Sequence, residues 1–254
     1  MDEWFQVHSL DAMTYVISEP RHYEETNCYL LLGNDRALLI DSGLGIANIR
    51  KITDRLTTLP VTVIATHVHW DHIGSHGSFD RVLVHTLEQN WLEKEFPLPP
   101  VVVRNQLMKE PCIFPADFQA DTYAVWQGKA DGIVNAGDIL DLGGRHILIY
   151  HTPGHAPGHM CFFDVEREWL YSGDLIYKGM LYCDYPSTDP QAYLQSVQHM
   201  RKLAVKRLLP AHHSIDVGVD LIQKTAAAWE ALQEQGLLHH GSGEFQYGDF
   251  SIRL

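Results

Sequence analysis

Apolar residues alternate with polar ones, or form short continuous runs, through most of the first half of the chain. Bounded by turn residues, such runs are typical of β-strands buried on one or both faces. The predicted strands are residues 14–18, 27–32, 37–40, 61–65 and 81–84. Apolar residues spaced three or four apart predict helices over residues 46–56 and 86–96.

The second half continues this alternation of strands and helices. Residues 139–142 and 145–150, joined by Gly143 and Gly144, predict a hairpin, and strands follow at 160–164 and 169–171. Helices are predicted over 189–203, started by Asp189-Pro190, and over 219–235, ended by Gly236. Strands and helices thus recur in the same order, which indicates two mixed sheets packed face to face with helices outside.

Composition places few other limits on the organisation of the chain. Its 254 residues, 45% hydrophobic, can bury a sizeable core, and nothing marks a domain boundary. We therefore expect a single domain over residues 1–254, with an inserted flap at about residues 96–130 where prolines accompany Val and Leu. The formal net charge of −13 disfavours nucleic acid as a partner.

The start of the sequence and the cysteines bear on the compartment. Met1-Asp2-Glu3-Trp4-Phe5 lacks the basic and apolar regions of a signal peptide, and no run approaches the roughly 18 apolar residues that a membrane span requires. The cysteines lack a Cys-x-x-Cys pair, which favours reduced, mostly buried thiols over disulfides. We therefore expect a cytoplasmic protein. The cysteines are Cys28, Cys112, Cys161 and Cys183.

Four potential metal ligands lie in the segment Thr66-His67-Val68-His69-Trp70-Asp71-His72, directly after the predicted strand at 61–65. His67 and His69 are two residues apart in an extended segment and can face the same way. Asp71 and His72 are adjacent, so their side chains diverge and are hard to aim at one ion. Four ligands in one loop therefore indicate two metal ions.

Three further candidates, His155, Asp174 and His212, each follow a predicted strand beside a Gly or Pro that fits a sharp turn. Taken singly, such a His is more often an ordinary surface or core side chain, and such an Asp more often a turn or capping residue. Together with the loop, the three predict a metal site. Imidazole and carboxylate ligands without thiolate suit zinc, iron or manganese.

The chain resembles metallo-β-lactamase-superfamily hydrolases whose metal site is of the glyoxalase II type. The resemblance covers nearly the whole chain and implies an α/β fold, a four-layer αββα sandwich of two mixed β-sheets flanked by helices, with the metals at one edge. It also implies two divalent metal ions, zinc in the first place. The matching motifs are Leu38-Leu39-Ile40-Asp41-Ser42-Gly43, the loop motif, Thr152-Pro153-Gly154-His155, Ser172-Gly173-Asp174 and Pro210-Ala211-His212.

The same resemblance implies a role for each candidate ligand. His213 is the alternative to His212, because the preceding residue is Ala where the family usually has Gly. Asp41, His151 and His159 are expected to orient the ligands rather than to bind metal. The implied assignment is His67, His69 and His155 to the first metal, Asp71, His72 and His212 to the second, and Asp174 as the bridge.

The ligand set implies a hydrolase in which a hydroxide between the metals attacks a carbonyl carbon. The resemblance implies a thioester or lactone as the substrate, with acyl thioesters favoured. Asp71 is expected to act as a ligand, as a proton shuttle to the leaving group, or as both. Tyr177 follows Asp174 by three residues, as a Tyr does in some lactone-hydrolysing relatives. It either donates a hydrogen bond to the developing oxyanion or packs at the base of the loop.

Selectivity is expected to lie in three apolar loops, residues 19–26, 96–123 and 178–186. They favour a small-molecule substrate with an acyl or other apolar portion, unless they close the core or a homodimer contact. The alternatives are a phosphodiesterase or nuclease, a diiron oxygen reductase and a mono-iron persulfide dioxygenase. Only promiscuous β-lactamase activity is expected, because true β-lactamases lack a bridging Asp at the position of Asp174.

Overall fold

The computed structural model describes residues 4–254, so Met1, Asp2 and Glu3, part of the sequence start considered above, lie outside it. Two compact units are present. The first comprises the chain up to Val134 together with Asp141–Arg145, and the second comprises Asn135–Leu140 and His146–Leu254. Across residues 4–254, no helix has the length and apolar character needed to cross a membrane.

The first unit contains a seven-stranded sheet in which the strands follow one another in chain order. The first four strands are antiparallel and the last four run parallel. Three predicted strands agree residue for residue, and two differ by one residue at one or both ends. The strands are β1 (Gln6–Asp11), β2 (Thr14–Ser18), β3 (Asn27–Leu32), β4 (Ala37–Ile40), β5 (Val61–Ile64), β6 (Val82–His85) and β7 (Gly132–Val134). The exposed β1 lacks an apolar face, so no pattern predicted it.

The helices of the first unit are shorter than predicted. The helix expected over 46–56 begins only at α1 (Arg50–Leu56), because the Asn48 side chain accepts a hydrogen bond from the Arg50 N–H over 2.9 Å and holds a turn there. The helix expected over 86–96 is a 3₁₀ turn followed by α2 (Gln89–Glu93). The predicted flap contains a further helix, α3 (Pro100–Leu107), with Pro in its first turn.

The second unit contains a five-stranded sheet and two long helices. The predicted hairpin and both following strands are present. Its strands, in sheet order, are Arg207–Pro210, Trp169–Gly173, Met160–Asp164, His146–His151 and Ile139–Asp141. In chain order these are β8 (Ile139–Asp141), β9 (His146–His151), β10 (Met160–Asp164), β11 (Trp169–Gly173) and, after one further strand, β13 (Arg207–Pro210).

Both long helices agree with the sequence prediction to within a few residues. In α4 (Pro190–Met200) the Asp189 side chain accepts hydrogen bonds from two N–H groups of the first turn, as its N-cap position predicted. The second helix, α5 (Asp220–Glu234), ends before Gly236, which has a φ of 71°. Tyr193 of α4 stacks on Trp229 of α5 with ring centroids 4.0 Å apart.

A three-stranded sheet at the end of the chain corrects one prediction. Residues 178–186, expected to be a loop, contain β12 (Met180–Tyr182), which pairs in parallel with the last strand. That strand, β15 (Phe250–Arg253), pairs antiparallel with β14 (Glu244–Tyr247). Three-residue β12 is too short to show a period, and its partner lies about 70 residues further along the chain, beyond the reach of local patterns.

Pairs of parallel strands bring the candidate residues together within each unit. In the first unit, Ile40 of β4 is paired with Ile64 of β5, so Asp41 follows one strand beside the start of the His67 loop. In the second unit, Gly173 of β11 is paired with Pro210 of β13. Since the carboxyl ends of parallel strands meet at one edge, Asp174 and His212 leave the second sheet side by side.

Candidate metal centre

The loop after β5 brings four predicted ligands of the first unit into one cluster. Nε2 of His67 lies 2.9 Å from Nδ1 of His69, and Oδ2 of Asp71 lies 3.7 Å from Nε2 of His72. Ligand atoms of His67 and His72 lie within 4.8 Å of each other. His69 is half-buried and the other three are buried. The clustering expected from the His-x-His-x-Asp-His spacing is therefore present.

Asp41 holds this loop by its carboxylate. One oxygen accepts the Thr66 N–H over 2.6 Å, and the other accepts the Thr66 hydroxyl and faces Nδ1 of His72, both at 2.9 Å. The backbone of Asp41 is left-handed, with a φ of 59°, a conformation that Asp tolerates better than most residues. Because His72 donates from Nδ1 to a carboxylate, its Nε2 is left as the metal-binding atom.

Two buried carboxylates that the sequence prediction missed also hold this region. Glu88 accepts the Val68 N–H, the amide between His67 and His69, over 2.5 Å. Glu19 accepts from Thr26, Trp4 and the backbone of residue 44 at 2.6–2.8 Å, and burial raises the pKa of Glu19 despite these bonds. A lone Glu beside a strand is usually exposed, so the sequence contained no sign that Glu19 and Glu88 are buried.

A Ser–His pair lies behind the loop. Oγ of Ser42 is 2.6 Å from Nδ1 of His76 and accepts the Ser75 N–H over 2.9 Å. His76 is fully buried, and burial lowers its pKa to about 3, with the neighbouring His72 adding to the effect. His76 is therefore a neutral hydrogen-bonding group at physiological pH.

In the second unit, Asp174 lies between two imidazoles. Its Oδ2 is 3.5 Å from Nε2 of His155, and its Oδ1 is 3.3 Å from Nε2 of His212. All three residues are at most 5% exposed. Nδ1 of His155 lies 3.0 Å from the carbonyl oxygen of Tyr182, an acceptor that leaves Nε2 to face the carboxylate. The carboxylate thus has the position expected of a bridging ligand in this half of the site.

Hydrogen bonds to the backbone hold His159 and His151 beside this cluster. The Asp174 N–H donates to Nε2 of His159 over 3.0 Å, so Nδ1 of His159 carries the proton and donates to Thr152 Oγ1 over 2.8 Å. Nε2 of His151 lies 2.8 Å from the carbonyl oxygen of Pro157. These contacts fit the orienting roles expected of both residues.

Close packing of backbone fixes the loop that presents His155. Gly154 has a φ of 138°, and a Cβ added there would lie 2.4 Å from Cα of Tyr193. Only glycine fits such a position. The Tyr193 hydroxyl in turn lies 2.9 Å from the carbonyl oxygen of Asp174 and 2.8 Å from that of Leu175. One buried side chain therefore ties the His155 loop to the Asp174 turn.

Tyr177 and His213 lie beside His212. The Tyr177 hydroxyl donates to the Met180 carbonyl oxygen, and its ring centroid is 5.5 Å from that of His212. His213 has a left-handed backbone, with a φ of 57°, and its ring is 6.0 Å from Tyr177. His212, not His213, is the residue that the structure places against Asp174.

The chemistry of these clusters fits a divalent metal of the zinc type. All the facing donor atoms are imidazole nitrogens and carboxylate oxygens, which bind zinc readily. The cysteines are free thiols, of which three are buried. Burial raises the pKa of Cys161 and of Cys183 to about 12, so neither supplies a thiolate at neutral pH. Each cluster therefore offers nitrogen and oxygen donors only.

The family follows from comparison with known proteins. The model of the Metallo-beta-lactamase superfamily matches residues 24–212, well over half of the chain, and this span runs from before His67 to His212. The chain belongs to the metallo-β-lactamase superfamily, as its motifs predicted.

Individual relatives agree with this assignment. The chain is 28% identical over 258 residues to acyl-coenzyme A thioesterase MBLAC2 of Bos taurus, covering 93% of this chain and 90% of that protein. It is 26% identical to hydroxyacylglutathione hydrolase GloC of Haemophilus influenzae, covering 75% and 82%. A metallo-beta-lactamase family protein from Thermus thermophilus has a TM-score of 0.68 at 21% identity, covering 90% and 83%. The predicted fold class is confirmed.

Proposed function

We propose that the protein is a dinuclear metal-dependent hydrolase of acyl thioesters. The observation that carries the proposal is the orientation of the ligands: Asp41 and the Tyr182 carbonyl fix His72 and His155 so that each presents Nε2 beside a carboxylate. A structural zinc site is closed by four ligands. Seven candidate ligands are more than one such ion binds, so they support two metal ions. The relatives named as thioesterase and hydroxyacylglutathione hydrolase support thioesters as the substrate class.

The proposed ligand assignment keeps the pattern expected from the motifs. Asp174 is the bridging residue, because its two oxygens face different imidazoles. Zinc is the favoured metal, with iron or manganese as the alternatives. The first metal takes His67, His69 and His155, and the second takes Asp71, His72 and His212.

The chain's own residues then have defined tasks. Bound divalent metal would supply hydroxide at neutral pH and polarise the thioester carbonyl. Asp71 lies beside His72 with a carboxylate that can hold a proton for the departing thiol. Tyr177 can donate to the developing oxyanion only after its hydroxyl releases the Met180 carbonyl. We propose Asp71 and Tyr177 as the catalytic groups.

The proposed substrate is a small molecule with an acyl portion, and the proposed location is the cytoplasm, which free thiols suit. The test is a substrate panel offered to protein loaded with zinc, iron or manganese. It holds acyl-CoA, a glutathione thioester, a homoserine lactone, a phosphodiester and a β-lactam. Thioester turnover is expected to be highest. A phosphodiester turned over faster would overturn the proposal.

A further inference from the structure

A cavity of about 390 Å³ lies in the first unit, between the segment that leads from α2 into α3 and a later segment of the predicted flap around Tyr123. Its apolar lining comes from both segments, and two of these side chains, Val103 and Tyr123, are buried. Polar lining residues such as Lys94 and Gln127 are exposed. The cavity therefore has an apolar wall and a polar, open side. The apolar lining is Phe96, Leu98, Val103, Tyr123 and Val125.

This cavity is connected to the His67 loop through Tyr123. The Tyr123 hydroxyl donates to the Leu44 carbonyl over 2.6 Å and lies 3.5 Å from the carbonyl of Trp70, the residue between His69 and Asp71. Trp70 directly precedes Asp71, so the Tyr123 hydroxyl lies beside the backbone of the ligand loop, and burial raises the pKa of Tyr123. One wall of the cavity is thus bonded to the loop that carries the first-unit ligands.

The segment that leads into α3 forms the other wall, and the end of α3 is anchored by hydrogen bonds. Nε2 of His22 lies 3.0 Å from the Leu107 carbonyl, and the Tyr23 hydroxyl donates to the Gln106 carbonyl over 2.7 Å. The His22 ring also packs edge-on to Trp70, with centroids 5.9 Å apart. The end of α3 is therefore held in place, so the cavity exists before any ligand arrives, as is usual for small-molecule sites.

We propose that this cavity binds the acyl chain of the thioester substrate and so sets chain-length selectivity. The inference rests on the proposed thioesterase function. An apolar wall offers a fatty chain burial but offers a sugar or phosphate no partners. The volume is at the lower end of the range for ligand sites, which fits one unbranched chain of medium length.

The test compares acetyl-, butyryl-, octanoyl- and hexadecanoyl-CoA as substrates of the zinc-loaded enzyme. In the wild type, kcat/KM should rise on the order of fourfold per methylene until the cavity is filled, and then level off. Leu98→Trp and Val125→Trp each fill the cavity from a partly buried position. Each variant should lose at least about tenfold on octanoyl-CoA and keep acetyl-CoA hydrolysis within about twofold. Val101→Trp, on the exposed side of α3, is the matched control and should behave as wild type.

Two results would overturn the proposal, and they are distinguishable. If either cavity variant, folded by circular dichroism, hydrolyses octanoyl-CoA as the wild type does, the acyl chain lies elsewhere and the thioesterase function stands. If the wild type hydrolyses no acyl-CoA of any length and no glutathione thioester, both the function and the cavity assignment fail. Two variants are included so that misfolding of one leaves the other to decide.

Discussion

The backbone N–H of Asp174 donates a 3.0 Å hydrogen bond to Nε2 of His159, a fully buried imidazole. His159 thereby fixes the amide from which the Asp174 side chain, whose oxygens face His155 and His212, projects. Buried polar contacts of this kind commonly decide whether a metal ligand is correctly aimed.

His159→Leu should leave the Asp174 N–H without its acceptor and weaken metal binding about 10- to 100-fold. His159→Gln retains an oxygen that can accept the bond and should recover much of that loss. Metal affinity is measured by competition with a chelating dye. His151→Gln, which alters the contact with the Pro157 carbonyl, is the control and should bind metal as wild type does. Wild-type metal affinity in His159→Leu would show that His159 does not orient Asp174 for metal binding.

Asp41→Asn should lower metal affinity and kcat/KM by about 10- to 100-fold, because an amide does not attract the Nδ1 proton of His72 as a carboxylate does. The same change at exposed Asp54, which pairs with Arg50 on the surface, should have no effect on either quantity. Steady-state kinetics at limiting and at saturating zinc separates the effect on metal affinity from the effect on kcat/KM. Excess zinc should restore activity to the Asp41→Asn enzyme. Wild-type metal affinity and kcat/KM in this variant would contradict the role of Asp41 in orienting His72.

Tyr177→Phe removes the hydroxyl proposed to donate to the oxyanion. The variant should lose about tenfold or more in kcat with little change in KM, because the bond forms only in the transition state. Tyr150→Phe, in a strand of the same unit, is the control. Unchanged kcat/KM on a thioester would exclude the Tyr177 hydroxyl from the mechanism.

His76 should make stability depend on pH. Its pKa is about 3 in the folded protein against about 6.5 when unfolded, so below pH 6.5 the unfolded chain binds the proton more readily. Stability is therefore lost as pH falls from about 6.5 toward 3, by about 2 kcal/mol between pH 7 and pH 5. Urea unfolding at both pH values should show a smaller difference for His76→Gln than for wild type. Exposed His8→Gln should match wild type, and an equal pH effect in His76→Gln would exclude this origin.

Much of the fold and most of the site could be predicted, because the relevant signals are local. Strands β2, β3, β4 and β10 carry continuous or alternating apolar residues and were predicted residue for residue. The ligand candidates follow strands in short motifs with their own turn residues, so each motif can be recognised by itself.

What failed depends on contacts that no window of sequence contains. Strand β12 exists because it pairs with β15 from the end of the chain. Glu19 and Glu88 look like surface residues until distant backbone N–H groups satisfy their carboxylates. His22, in a segment expected to be a selectivity loop, is buried against Trp70 and the end of α3 rather than facing solvent.

The metal-to-chain ratio of zinc-loaded protein, measured by mass spectrometry after removal of free metal, tests the proposed dinuclear centre most directly. The wild type should hold two ions per chain, and Asp71→Ala and Asp174→Ala should each hold fewer and lose thioester hydrolysis. A wild-type ratio of one, or a ratio of two retained in either variant, would contradict the Asp-bridged pair of metals.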